Sequence, residues 1–277
     1  MALSIFEQMG PDYRTSFVIA NVFSDAEKVF INARNSKWQE LGISFYFADV
    51  MKDALPIAKR LNADNLFLDS DVGVRRHLTL LEMKSSNHSL DIHVYEEGVG
   101  TYRTDLYSGL RRAFLSKAGV GTFFGGCKNT SSIYVCDPIH YCAQFPNANP
   151  DNVHRINMPP YEFSQRNLDE LSKLFAFELP CIQRPDQCNL YLSSWEIDYE
   201  FLRKFTSIEG DNFIKLHPHI RAVKHNLDCK TLGACPPAEL AFVHLKAAYK
   251  NVNVFSHYSS AAHYAKGSGI NFCNLSE

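Results

Sequence analysis

The sequence predicts an α/β protein built from two Rossmann-like, doubly wound halves. Short apolar runs that favour strands alternate with amphipathic, helix-type segments along the chain of 277 residues. The apolar runs are continuous rather than alternating, which is typical of parallel strands covered by helices on both faces. The pattern breaks at 178–187, which holds two prolines and no periodicity, and then starts again. We therefore expect domains at 1–180 and 181–277 that face a central cleft between the carboxyl ends of their sheets.

Each element follows from a local pattern. In the first half, continuous apolar runs predict strands at 15–23, 43–50, 64–71, 89–98, 132–138 and 153–159. Helical periodicity predicts helices between them at 24–41, 51–62, 72–84 and 105–118. In the second half the same two patterns predict strands at 188–195, 212–220, 252–259 and 270–275, and helices at 196–208, 236–249 and 260–267.

Composition narrows the classes of function. The formal net charge is −2, so the chain has no global basic field for nucleic acid. No stretch approaches the roughly 20 apolar residues that a spanning helix needs, and residues 1–16 lack the basic and apolar regions of a secretory signal. We expect a cytoplasmic protein, with a peripheral contact at the inner face of the membrane left open.

The cysteines do not indicate a metal site. The chain has 8 of them, none in a CxxC pair, and their closest spacings, Cys136/Cys142 and Cys229/Cys235, fit no standard zinc pattern. Several lie inside apolar runs. We interpret them as thiols packed in a reducing compartment.

Four short motifs lie where a predicted strand ends or a helix begins. They are EEG at 96–98, KLHP at 215–218, PPAEL at 236–240 and YSS at 258–260. In an open α/β sheet this edge is where ligands bind. SSW at 193–195 also ends a predicted strand and is a candidate cleft wall. GVGTFFGG at 119–126 lacks the spacing and the following lysine of a phosphate-binding loop.

The acid pair at 96–97 is a candidate general base. Glu96 and Glu97 repel each other, so one of them can have a raised pKa and accept a proton near neutrality. Strand alternation points them in opposite directions, so only one can face a cleft. Gly98 allows a positive φ or a close approach to a ligand. An exposed acidic strand end is the ordinary alternative.

The KLHP motif is a candidate phosphate contact. His217 can donate a hydrogen bond to a phosphate oxygen, and Lys215 adds positive charge nearby. Pro218 ends the strand and holds His217 in an extended conformation. A surface His-Pro turn is the ordinary alternative.

Two predicted helix starts complete the candidate site. Glu239 lies in the first turn of its helix, where a carboxylate can bind ribose hydroxyls. Ser259 and Ser260 precede a short helix, where hydroxyls and unbonded backbone N–H groups can bind an anion. A helix-start acid and a plain serine N-cap are the ordinary alternatives.

Taken in order, these motifs resemble those of a known enzyme class. EEG, HP and SS resemble the D/E-D/E-G, HP and SS motifs of bacterial sialyltransferases, and PPAEL is similar to the segment between HP and SS that supplies a ribose-binding acid. The resemblance spans residues from about 15 to 277 and is closest to lipooligosaccharide sialyltransferases and capsule polysialyltransferases.

The resemblance implies a GT-B fold, with 1–180 on the acceptor side and 181–277 binding the nucleotide sugar. It also implies an inverting transferase that moves sialic acid from CMP-sialic acid to a hydroxyl of a glycan acceptor, without a metal or other cofactor. A single donor phosphate is consistent with this, because a diphosphate donor more often recruits Mg²⁺ through paired carboxylates.

Roles in the reaction follow from the same resemblance. Glu96 or Glu97 takes the proton of the acceptor hydroxyl, and Glu96 is preferred because it is the first acid of the motif. His217 donates to the leaving CMP phosphate, while the other predicted donor-site residues bind the nucleotide sugar: Gly98, Lys215, Pro218, Glu239, Ser259 and Ser260.

Three alternatives stay open at this point. The donor could be CMP-Kdo or another CMP-nonulosonate, since the motifs do not separate donors that share the CMP group. The chain could bind a nucleotide sugar without turning it over. It could also be an unrelated two-domain α/β enzyme in which these short motifs coincide.

Overall fold

The computed structural model describes residues 1–10, 14–23, 25–183, 186–220, 229–257 and 259–275. Strands β1–β11 are Ser16–Ala20, Ser44–Ala48, Asn65–Leu68, Asp91–Tyr95, Ser132–Val135, Val153–Arg155, Gln187–Leu192, Asp211–Lys215, Lys230–Leu232, Asn251–Ser256 and Asn271–Asn274. Helices α1–α12 are Ala2–Met9, Ala26–Ala33, Lys37–Glu40, Met51–Leu61, Val74–Ser86, Gly109–Lys117, Pro138–Gln144, Pro160–Arg166, Leu168–Phe175, Tyr199–Phe205, Ala238–Ala248 and Ser260–Tyr264.

The fold is mixed α/β with parallel sheets, as the sequence predicts. Every strand pair in the described chain is parallel, and each predicted strand overlaps an observed one. Strand β9 was not predicted, because its three residues carry one large apolar side chain, too few for a recognisable run. The fold is consistent with a Rossmann-like class.

The chain divides into two compact units whose bounds differ from the predicted split at residue 180. Unit 1 is Met1–Tyr13 with Lys52–Pro159, and unit 2 is Arg14–Met51 with Pro160–Glu277. Segment 14–51, predicted in the first domain, therefore groups with the second. The predicted linker at 178–187 lies within unit 2, where its described residues before 187 form neither helix nor strand.

Side-chain contacts explain the position of the early segment. The amide nitrogen of Asn32, on α2, donates to the backbone oxygens of Lys173 and Leu174 at 3.1 and 2.9 Å. Lys37, on α3, donates to the side chain of Asn167. Both contacts attach the β1–α2–β2 segment to the helices around α9.

Unit 1 contains a four-stranded sheet in the order β3-β4-β5-β6. One apolar cluster joins Leu80 and Met83 of α5 to the side chains of Leu68 and Ile92. A second cluster, with Val94 among its members, packs against helix α7. Because the strands are parallel neighbours, the residues that follow β3, β4 and β5 lie along one edge.

Unit 2 contains the pair β1-β2 and a five-stranded sheet in the order β11-β10-β7-β8-β9. The order runs outward from β7 in both directions, so β7 and β10 flank the point at which a doubly wound sheet reverses. The loops after β7, β8 and β10 therefore lie along the edge at which such sheets bind ligands.

The predicted helix starts are also confirmed. Helix α11 begins at Ala238 after Pro237, and α12 begins at Ser260 after Ser259. No helix in the described ranges is both long and apolar enough to cross a membrane. No disulfide bond joins the cysteines of the described chain.

Candidate functional site

The carboxyl edge of the unit 2 sheet brings three predicted motifs together. SSW follows β7, HP follows β8 and SS follows β10, and these strands are adjacent in the sheet. The loops are also joined directly, because the backbone N–H of His217 donates to the hydroxyl of Ser193 at 2.8 Å. This bond fixes the start of the HP loop against the end of the central strand.

His217 belongs to an aromatic group at this edge. Its ring centroid lies 4.7 Å from that of Trp195, which is 66% exposed. Trp195 also stacks on His219, with centroids 4.5 Å apart and planes 9° apart. Trp195 was a predicted cleft residue, whereas His219 was missed because it lies beyond the two-residue HP motif.

The surroundings of His217 favour a neutral imidazole that still donates. Partial burial lowers its pKa, and the nearby His219 and Lys215 lower it further. The backbone N–H of His219 approaches Nδ1 of His217 at 3.4 Å, which favours the tautomer with its proton on Nε2. A neutral His217 can therefore offer an Nε2 proton to an anionic ligand.

Lys215 does not have the predicted role in ligand binding. Its side chain is buried, and Nζ donates to the backbone oxygens of Leu216 and Ala234 at 2.9 and 2.8 Å. Burial lowers the pKa of the ammonium group to about 8. Lys215 thus connects the HP loop to the loop before α11, and its ammonium hydrogen bonds go to the protein backbone.

This burial predicts a specific pH dependence of stability. The folded-state pKa of Lys215 lies below the unfolded value of 10.5, so the unfolded chain binds more protons between these values. The free-energy cost of burying the charged ammonium group has its full size below about pH 8 and disappears as the pH rises towards 10.5. Relative to Lys215→Met, the wild type should gain about 3 kcal/mol of unfolding free energy across this interval.

Urea denaturation of both proteins at several pH values between 7 and 10.5 would measure this difference. Groups remote from Lys215 titrate alike in both proteins and cancel in the comparison. A difference that stays constant with pH would contradict the buried-ammonium assignment.

The remaining predicted donor residues of unit 2 lie close to this edge. Glu239 is 9% exposed in the first turn of α11, and burial raises its pKa. Pro218 is half-buried in the turn after β8. Ser259 and Ser260 are half-buried, and the Ser259 side chain makes no capping hydrogen bond to α12, which argues against the plain N-cap alternative.

Sequence reasoning missed a histidine-aspartate pair beside the SS motif. Nε2 of His257, directly after β10, lies 3.3 Å from a carboxylate oxygen of Asp198. Asp198 is also the N-cap of α10 and accepts from the Phe201 N–H at 2.9 Å. The available signal was a histidine at the end of a predicted strand; its partner lies 59 positions away and has no local signature.

A cavity of about 220 Å³ opens at the carboxyl end of β9, the strand next to β8. Burial raises the pKa of Cys235, one of its lining residues, to about 11, so this thiol stays protonated near neutrality. The other lining residues come from β9, the start of α2 and the end of α9, and include Asp25, Lys28, Phe177 and Thr231.

In unit 1 the two glutamates occupy different environments, as strand alternation predicts. Glu96 is fully buried, and its Oε2 accepts from the Tyr102 hydroxyl at 2.8 Å and from the Cys136 N–H at 2.6 Å. Gly98 has a φ of 131°, a conformation that favours glycine. Glu96 therefore holds the turn after β4 to the end of β5.

Glu97 is the accessible acid of the pair. The residue is exposed, but its carboxyl group is partly desolvated, and this together with the nearby Asp69 raises its pKa. Its backbone N–H donates to the Thr101 hydroxyl at 3.0 Å, which fixes the turn. The preference for Glu96 as the base is therefore corrected to Glu97, because a base must reach its substrate.

Asp69 is a second acid that sequence reasoning missed. It follows β3, the neighbour of β4, and lies 3.8 Å from a nitrogen of Arg76. The sequence shows an acid at the end of a predicted strand here, but no motif marks it.

The glycine-rich loop at 119–126 serves an internal carboxylate. Asp71 is fully buried and accepts from the N–H groups of Gly125 and Cys127, both at 2.9 Å, and from the Thr130 hydroxyl at 2.7 Å. A Cβ at Gly121 would lie 2.6 Å from the backbone oxygen of Asp71, so only glycine fits. The contacts at Gly121 and Gly125 therefore give this loop an internal role that needs no phosphate ligand.

Comparisons with models of known protein families and with curated protein sequences found no match. Among the residues that the structure describes, no group of three or more His, Cys, Asp or Glu side chains is arranged to hold a metal ion.

Proposed function

We propose that this chain is an inverting GT-B glycosyltransferase that transfers sialic acid from CMP-sialic acid to a hydroxyl group of an acceptor glycan. The observation that carries the proposal is the convergence of the SSW, HP and SS segments on one sheet edge in unit 2. In a doubly wound sheet this edge, at the strand-order reversal, is the ordinary nucleotide site.

The donor end of the proposed reaction follows from the described side chains of unit 2. His217 donates a hydrogen bond from Nε2–H to the CMP phosphate and stabilises the negative charge that develops there as the glycosidic bond to the anomeric carbon breaks. The hydroxyls of Ser259 and Ser260 hold the same phosphate, and Glu239 binds the ribose. Lys215 positions the HP loop through its two backbone contacts and does not touch the donor.

The acceptor end requires a base. We assign this role to Glu97, whose raised pKa suits proton abstraction and whose carboxylate is accessible. The acceptor hydroxyl loses its proton to Glu97 and attacks the anomeric carbon from the face opposite to CMP, through an oxocarbenium-like transition state. CMP leaves as the new glycosidic bond forms, with inversion at that carbon.

Ligand-induced stabilisation tests the proposal directly. CMP at about 100 times its dissociation constant should add about 2.7 kcal/mol of unfolding free energy, whereas UDP, GDP and NAD should add little. The shift should persist in EDTA, as expected for metal-independent binding. Scanning calorimetry would measure it, and Ser259→Ala with Ser260→Ala should reduce it. A preference for UDP or NAD would overturn the proposal.

Turnover then separates the remaining alternatives. CMP release from CMP-sialic acid in the presence of a glycan acceptor supports the sialyltransferase assignment, whereas release from CMP-Kdo alone assigns a related donor. CMP binding without turnover of either donor would indicate a non-catalytic nucleotide-sugar-binding protein.

A further inference from the structure

Helix α6 carries an unusual apolar surface. Leu110 is 90% exposed and Phe114 is 74% exposed, and they lie one turn apart on the same face of the helix. Leu115 is the buried residue by which α6 is anchored to unit 1. Single exposed leucines are common, but two large apolar side chains projecting together mark an interaction surface.

The charges around this face are positive. Helix α6 reads GLRRAFLSK, with three basic residues and no acid. Arg111 and Lys117 are exposed, whereas Arg112 is half-buried and donates to the backbone oxygen of Thr104. The nearest acid in sequence, Asp105, is paired with Arg103 at 2.9 Å.

The start of α5 extends the surface. The hydroxyl of Tyr107 lies against Gly73, directly before α5, at 3.2 Å from the point where a Cβ on that residue would stand. The guanidinium of Arg111 lies 5.2 Å from the Tyr107 ring centroid. Tyr107 therefore lies between the two helix starts. Val74, which is 47% exposed, and the exposed Arg75 add an apolar and a basic side chain.

We propose that this α6 face docks unit 1 on an anionic phospholipid membrane. Apolar side chains enter the acyl-headgroup boundary while flanking basic side chains contact lipid phosphates, which is how interfacial amphipathic helices bind. Charge complementarity selects this partner. A second copy of the chain would set Arg111 and Lys117 against the same cations, whereas an anionic lipid surface neutralises them.

Vesicle sedimentation of the full chain tests the proposal. We expect binding to phosphatidylcholine vesicles that contain about 30% phosphatidylglycerol, weak binding to phosphatidylcholine alone, and a decrease with added salt. Leu110→Ser with Phe114→Ser should lower the partition coefficient at least about tenfold. Arg111→Gln with Lys117→Gln should lower it about 30-fold, since each basic residue near the surface contributes about fivefold.

Matched controls remove equivalent groups elsewhere. Leu41→Ser removes a side chain that is 62% exposed in unit 2, and Lys250→Gln with Lys266→Gln removes two exposed charges. These variants should bind vesicles like the wild type, and thermal unfolding should show that all variants are folded. Equal losses in the controls, no binding to anionic vesicles, or a change of oligomeric state caused by the α6 variants would overturn the proposal.

Discussion

Replacing His217 with alanine should lower the turnover of CMP-sialic acid by about 10²- to 10³-fold, the usual effect of removing one hydrogen bond to charge that develops in the transition state. The proposed donor to the leaving phosphate is lost. Because the bond to Ser193 comes from the backbone N–H of His217, it survives the substitution. The loop should keep its position, so the loss should be in kcat with little change in thermal stability.

The neighbouring histidine supplies the control for this experiment. His219 stacks on the same tryptophan and lies within the same turn, but it is outside the HP motif. His219→Gln should therefore change kcat by only a few-fold. Initial rates of CMP release would measure both variants. If His217→Ala turns over as fast as His219→Gln, then His217 has no role in the chemistry.

The sequence predicts the strands of this site well because strand formation depends on the local pattern of apolar residues. Continuous apolar runs mark buried parallel strands, and each strand run of the second half overlaps an observed strand, which for β7, β8 and β10 covers the amino-terminal part of the run. The order of the strands in the sheet, in contrast, depends on pairing between residues that are far apart in the sequence. That SSW, HP and SS lie on adjacent strands depends on β10 pairing with β7, strands whose paired residues are 64 positions apart, such as Asn189 and Asn253.

Side-chain direction was the second feature beyond the reach of the sequence. Lys215 stands next to the HP motif, and pattern alone makes it a ligand contact. The direction of its side chain depends on the backbone oxygen of Ala234, 19 positions later, which accepts a hydrogen bond from the buried ammonium group. The grouping of 14–51 with unit 2 depends on distant residues in the same way, since Asn32 bonds to Lys173 at a separation of 141 positions.

Glu97→Gln should lower kcat by about 10²- to 10⁴-fold and should remove the acidic limb of the pH-rate profile. A base must be ionised, so kcat/KM falls as the pH drops through its pKa. Desolvation and the neighbouring Asp69 raise the pKa of Glu97, which places that limb above the ordinary glutamate value of 4.5. Steady-state rates between pH 5 and 9 would measure both effects in the wild type and the variant.

Thermal stability distinguishes Glu97 from Glu96, because replacing the two acids should shift the unfolding temperature in opposite directions. The folded-state pKa of Glu97 is raised, so its ionised form is disfavoured in the folded protein. The stability that protonated Glu97 contributes is therefore lost as the pH rises through that value. Glu97→Gln should therefore unfold at the same or a higher temperature near neutral pH. Glu96→Ala should unfold at a lower one, because the Tyr102 hydroxyl and the Cys136 N–H lose their buried acceptor, each at about 1–3 kcal/mol.

Both donors bind Oε2 of Glu96, so the matched variant Glu96→Gln can keep its amide oxygen at that position for both of them and should lose less stability than Glu96→Ala. Activity measured per folded molecule then decides the assignment. A base at Glu97 requires that Glu96→Gln retain most of its turnover while Glu97→Gln loses it, even though Glu97→Gln is at least as stable as the wild type. The reverse order of activities would return the base to Glu96 and would require the Tyr102 and Cys136 contacts to open during the reaction.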